Sequence, residues 1–165
     1  MIRIQVTKTL VAAAMIAGLP LALAPVASAG TRPMDVAAPA TVECTQQSIL
    51  TGTHFSDVQI ARTARSGGFS GYGWQVSVAV SLAESSGWTK AVLINTDCSR
   101  DRGLWQINSY WHSEVSDATA FDPIPAARAS YTISSGGSNW SPWVTYNNGA
   151  YWQYMARAQA AVNAA

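Results

Sequence analysis

One stretch limits the fold more than any other, Trp74-Gln75-Val76-Ser77-Val78-Ala79-Val80-Ser81-Leu82-Ala83-Glu84. Trp74, Val76, Val78, Val80 and Leu82 alternate strictly, which by period alone describes a half-buried strand. The residues between them, Ser77, Ala79, Ser81 and Ala83, are small enough for the second face to bury as well, and the run exceeds the usual strand length. A helix that is apolar nearly all round is a central, buried one. The segment is therefore expected to be a helix ending near Ser86 with Gly87 past its C-terminus, although the pattern taken alone leaves strand and helix about evenly matched.

Glu84 closes that segment and is followed at once by Ser85, Ser86 and Gly87. A carboxyl held against apolar neighbours loses hydration, which disfavours its charged form and raises its pKa. A general acid working near neutrality requires that shift. The competing reading is a helix-end glutamate that turns to solvent, and composition alone favours it.

The N-terminus bears on where such a group would work. Residues 1–29 have the three parts of a secretory signal peptide: Arg3 and Lys8, an apolar run from Leu10 to about Ala24, and Ala27-Ser28-Ala29 before the expected cleavage at Gly30. Pro20 and Pro25 break the run, and it falls short of the ~20 residues a membrane span needs. The expected product is secreted, with no membrane attachment after cleavage. Residues 30–41, rich in Ala, Pro and Thr, read as a flexible lead. Residues 42–165 then form one domain, a length that suits a single core. Losing Arg3 and Lys8 leaves eight basic residues against nine acidic ones, close to neutral, with no basic stripe for nucleic acid. Seven Trp and six Tyr are many for this length; most suit a core, but flat aromatic faces are also what sugar rings stack on, so a saccharide ligand gains weight.

Export places Cys44 and Cys98 where disulfides persist, and an even count makes one bridge the expectation. A cysteine nucleophile paired with His54 or His112 has no local signature. The two histidines lack His-Glu-x-x-His spacing, and neither a metal nor a cofactor is expected. A monomer is expected.

Along the domain, Ser56 is placed to cap a helix carrying Val58, Ala61 and Ala64 or Arg65 until Gly67-Gly68. A glycine-rich turn from Gly67 to Gly73 leads into the apolar segment. Asn95 to Gly103 is polar and turn-rich, Leu104 to Tyr110 suits a short extended piece, and Trp111 to Val115 a turn of helix. Asp122-Pro123 starts a helix that Gly136-Gly137 ends, Ser141-Pro142 repeats the start signal, and a last helix is expected from about Tyr151 to Val162. The fold class is mostly α, a single compact helical domain with a short extended segment.

Three motifs read together carry a resemblance: Leu82-Ala83-Glu84-Ser85-Ser86-Gly87-Trp88, then Asp101-Arg102-Gly103-Leu104-Trp105-Gln106-Ile107-Asn108, then Tyr146-Asn147-Asn148-Gly149. In order and spacing the chain resembles the lysozyme-like lytic transglycosylases, whose members include soluble murein transglycosylases and goose-type lysozymes. The resemblance spans Trp74 to Tyr154. It implies an α+β lysozyme-like fold with the extended segment beside an active-site groove, and a peptidoglycan glycan strand as substrate. It makes Glu84 the acid and base, with Ser85 beside it as a substrate contact. Gln106 and Asn108 would line the groove, Tyr146 would sit close to the carboxylate, and Asn147 would contact sugar. Turn chemistry is the competing role for Gln106 and Asn147, and core packing for Trp105. Trp105 departs from the common Met or Phe, and Asn148 and Tyr151 from the small residues or Pro usual around the last glycine.

The resemblance implies cleavage of the MurNAc-GlcNAc bond, and two routes stay open. In the transglycosylase route a single Glu protonates the leaving oxygen and the sugar's own 6-hydroxyl closes a 1,6-anhydro product. A hydrolytic muramidase would add a second carboxylate, for which Asp97 and Asp101 are candidates. Both read better as loop-turn residues, which favours the single-Glu route. A non-catalytic wall-binding or signalling protein on the same fold is the third reading; it would have no need of Glu84.

Overall fold

A computed structural model describes residues 43–165; the expected signal segment, the flexible lead and the domain's first residue, Val42, lie outside the described residues. Six helices and a small antiparallel sheet make an α+β domain of the lysozyme-like type. Among the described residues no helix is long and apolar enough to cross a membrane.

The first helix, α1 (Asp57–Gly67), begins where Ser56 places it. The Ser56 hydroxyl accepts from the Gln59 backbone N–H at 3.3 Å, while Gln59 Oε1 accepts from the Ser56 N–H at 2.8 Å, a reciprocal capping box. Gly68, in the left-handed region, ends the helix.

The apolar segment is helix α2 (Gly71–Ser85), not strand. Val76, Val78 and Val80 are buried, and so are Ser77, Ala79 and Ser81 between them, so no polar face exists for a strand to show to water. The buried serines keep their hydroxyls satisfied: Ser77 donates to the Trp74 carbonyl, Ser81 to the Leu104 carbonyl and Ser85 to the Ser81 carbonyl. Each fully buried valine or leucine stabilises by roughly 1.5–3 kcal/mol relative to an exposed one. The helix starts three residues before Trp74, inside the expected turn. In that first turn Gly73 packs against the Gly137 backbone, where a Cβ would lie 2.9 Å from the carbonyl oxygen. Helix α1, the segment 144–147 and residues 150–163 pack around α2, making it the axis of the core.

Four short strands, β1 (Gln47–Ile49), β2 (Val92–Ile94), β3 (Arg100–Arg102) and β4 (Ile107–Asn108), pair in chain order, each antiparallel to the next. Only β4 falls within the expected extended piece; the polar stretch read as loop contains β3. Arg102 is almost fully buried and donates to the Ile107 carbonyl and to Asp117, which also pairs with Arg100 at 2.7 Å. These ionic contacts let a strand as polar as Arg-Asp-Arg sit against the core. The expected helical turn from Trp111 to Val115 forms only turns, and the helix lies just after it, α3 (Asp117–Phe121) with Ser116 as its cap.

Helix α4 (Pro123–Ile133) begins with Pro at its first turn. Ser141-Pro142 does not begin a helix directly; α5 (Val144–Asn147) starts two residues later from Trp143. The last expected helix is divided, a 3-10 turn over Ala150–Tyr154 followed by α6 (Met155–Asn163). Cys44 and Cys98 are disulfide-bonded, which joins the start of the described chain to the loop between β2 and β3.

Candidate active site

A groove of about 990 Å³ runs between the sheet and the segment 142–145, and Glu84 opens into it from the end of α2. The end of the helix sets that position. The helix must stop after Ser85, because Ser86 takes a left-handed conformation and its N–H returns to the Leu82 carbonyl. The last carboxyl on the buried helix is thereby left at the cavity wall.

Burial raises the pKa of Glu84, and the negative charge of Asp101 adds to the rise. Opposing both, the Thr145 hydroxyl donates to Glu84 Oε1 at 2.6 Å, and the Thr145 backbone also favours the charged form. Desolvation dominates, so the net direction is upward. Two tryptophans fix Thr145 relative to α2. The Trp143 indole N–H donates to the Trp105 carbonyl at 2.7 Å, and the Trp105 indole N–H donates to the Ser77 carbonyl at 3.0 Å. Trp105 is fully buried, which settles its role as core.

Asp101 stands on β3 and lines the groove, so its reading as a loop-turn residue is corrected. Its two oxygens accept from the amides of Asn95 at 3.1 Å and Asn108 at 2.7 Å. Asp97, also on the groove wall, is the turn residue: it accepts from the Ser99 backbone N–H at 2.9 Å, and the Ser99 hydrogen bonds lower its pKa.

The remaining expected site residues divide. Gln106 and Asn108 line the groove, but their amides are committed to the protein. Gln106 donates to the Ala91 and Gly103 carbonyls, holding a turn in which Gly103 has φ +72° and no room for a Cβ beside the Ala120 carbonyl oxygen. Asn108 uses four bonds, to Ser99, Asp101 and the backbone N–H groups of Tyr110 and Trp111. Ser85 is corrected as a substrate contact: it is 1% exposed, and its hydroxyl serves the helix end by also accepting from the Gly87 N–H. Tyr146 is not among the groove-lining residues; its ring stacks on Tyr151 with centroids 4.6 Å apart. Asn147 also lies off the groove, and its amide donates to the Ser141 carbonyl at 2.8 Å, which is turn chemistry.

Sequence reasoning missed Thr145, the residue before the one the resemblance selected. A small hydroxyl residue adjoining Tyr146 was the only signal for it. Among the described residues no group of three or more His, Cys, Asp or Glu side chains is arranged to hold a metal ion.

A helical core with a small sheet, meeting at a groove into which a desolvated carboxyl opens, is a lysozyme-like α+β architecture. A family model described as a lysozyme-like domain matches residues 61–145. The chain belongs to the lysozyme-like lytic transglycosylase family, and membership points to a glycosidase-type enzyme acting on peptidoglycan. No curated protein matches the sequence.

Proposed function

We propose that this chain is secreted and cleaves the MurNAc-GlcNAc bond of peptidoglycan glycan strands, with Glu84 as general acid and then base. The observation that carries the reading is a carboxyl of raised pKa at the end of a buried helix, opening on a groove lined by both polar and apolar residues. Export is supported by the pattern of residues 1–29 and by the Cys44–Cys98 disulfide, a bond that persists in oxidising surroundings.

Protonated Glu84 gives its proton to the glycosidic oxygen as the bond from the anomeric carbon breaks. The substrate's N-acetyl oxygen supports the developing cation. The carboxylate left behind then takes the proton of the 6-hydroxyl, whose oxygen closes on the anomeric carbon and leaves a 1,6-anhydro end. One carboxyl suffices for this route, and Thr145, by donating to the ionised form, favours the base half of the cycle.

Asp101 favours a second reading. A carboxylate on the same groove, with both oxygens held by asparagine amides, suits stabilisation of the sugar cation or orientation of a water. Hydrolysis with a reducing end would follow.

Glu84→Gln is expected to abolish clearing of a cell-wall suspension while its circular dichroism matches the parent protein; unchanged clearing removes the reading. Mass analysis of released fragments separates the routes, since anhydro fragments are lighter by one water than reducing ones.

A further inference from the structure

We propose that the groove selects glycan strands by charge: it takes muramyl sugars whose lactyl carboxyl is blocked as an amide, as in peptide-bearing strands, and disfavours those that expose it as a carboxylate. The inference rests on the reading of the groove as a glycan-cleaving site. It places the enzyme before, not after, any hydrolysis that strips the stem peptides at that amide.

The groove is built with one sign of charge. Three of its lining residues, Glu84, Asp97 and Asp101, are carboxylic acids, and among the described residues no lysine or arginine lines it. His112 is the lining side chain that can become positive, but its Nδ1 lies 3.3 Å from Glu114 Oε1, so any charge the ring takes on already faces a carboxylate.

Strand β3 does the sorting. It reads Arg100-Asp101-Arg102, and successive side chains of a strand point to opposite faces. Both guanidiniums go to one side, where they meet Asp117 at 2.7 and 2.8 Å. Asp101 goes to the other side and lines the groove. A strand with two cations and one anion thus delivers only the anion to the substrate. The amides of Asn95 and Asn108 hold its oxygens, and being neutral they leave its charge uncancelled. Asp97 accepts from Ser99, whose hydrogen bonds hold its carboxyl below the ordinary aspartate range. The charge of Asp101 is also felt at Glu84, whose pKa it helps to raise. A field that reaches the acid reaches the sugar at which the acid works.

Cleavage at the anomeric carbon of N-acetylmuramic acid puts a muramyl sugar beside Glu84. That sugar carries its lactyl group on the ring itself, at the 3-oxygen, so the carboxyl enters the groove with the ring. Joined to a stem peptide it is a neutral amide; stripped of the peptide it is an anion. The carboxylates of the stem lie farther out on a flexible chain, where water and salt screen them. A cleft lined by one sign of charge focuses its field on what enters, and a like charge meeting it is opposed. At the effective dielectric constant of about 20 near a protein surface, one like-charge pair about 12 Å apart accounts for a loss of about tenfold in low salt.

The test compares two peptidoglycan tetrasaccharides, each two repeats of N-acetylglucosamine and N-acetylmuramic acid, with free lactyl carboxylates in one and methyl amides in the other. Each is titrated by calorimetry into full-length Glu84→Gln protein, so that the ligand survives and the remaining groove charge is that of Asp97 and Asp101. The amide form should bind about tenfold tighter in about 10 mM salt, and the gap should close in about 1 M salt. Adding Asp97→Asn, whose side-chain oxygen can still accept the Ser99 N–H, should narrow the gap. Adding Thr96→Lys, which puts a cation on the groove wall, should abolish it. Equal binding of the two forms in low salt, or tighter binding of the free acid, overturns the selection while leaving the cleavage reading intact. A gap that neither salt nor these variants change also overturns it, since shape alone would then discriminate. Failure of the Glu84→Gln protein to bind either form sinks the cleavage reading and the selection with it.

Discussion

Replacing Thr145 with valine exchanges a hydroxyl for a methyl at nearly equal volume and deletes the 2.6 Å hydrogen bond to Glu84 Oε1. A hydrogen bond to a charged group contributes about 1.5–3 kcal/mol. Here it favours the ionised carboxylate and so opposes the larger effect of burial. Without it the pKa of Glu84 rises further. The Thr145 backbone group that also favours ionisation stays in place. If Glu84 is the proposed acid it must hold a proton to give to the glycosidic oxygen, so the alkaline limb of kcat/KM follows its ionisation in the free enzyme. The limb should therefore move to higher pH in Thr145→Val. The assay is the initial rate of wall-suspension clearing at low substrate across the pH range, for both proteins. A limb that stays in place, or moves to lower pH, refutes the claim that this hydroxyl tunes the acid. An equal fall in rate at every pH also refutes it, and leaves Thr145 a packing role only.

Two further outcomes follow from the same structure. The folded-state pKa of Glu84 is raised above its unfolded value, so the group's contribution to stability is fully present below the ordinary carboxylate range and is lost as pH rises through the folded pKa. Glu84→Gln should then melt higher than the parent at pH 7, with the difference vanishing in acid; a glutamine variant that melts lower at neutral pH contradicts the desolvation argument. The Cys44–Cys98 bridge spans 54 positions, and on the chain-entropy model its loss costs about 4 kcal/mol. Replacing both cysteines with serine should lower the melting temperature by on the order of 10 °C, and a thiol titration that finds two free sulfhydryls in the secreted protein would show that the bridge does not form.

The parts of this fold legible in sequence are those where a residue acts on its near neighbours. Ser56 with Gln59, Pro123 after Asp122, and Gly68 each fix a helix boundary through bonds within a few positions. The alternation from Trp74 to Leu82 pointed the wrong way because period 2 identifies a strand only when one face is wet, and here Ser77 and Ser81 are as buried as the valines. The sheet was largely hidden for the opposite reason. Strands of two or three residues, with β1 mostly exposed, are too short to print a period, and β3 owes its place to Asp117, fifteen positions beyond Arg102. The site divides similarly. Glu84 stood out because its whole setting lies in one continuous helix, whereas Thr145 is 61 positions away and reaches it only through the folded chain. Tyr146 drew attention through a motif, but the motif identifies the turn and the preceding side chain does the touching.

The two buried indoles have a consequence beyond packing. Glu84 and Ser77 are on one helix; Ser77 supports Trp105, Trp105 supports Trp143, and Trp143 starts the turn that carries Thr145 back to Glu84. The path is a closed frame, and in a closed frame an error at any joint appears at every other. Substitutions deep in the core that leave the domain folded should therefore announce themselves first as a change in the acidity of one carboxyl.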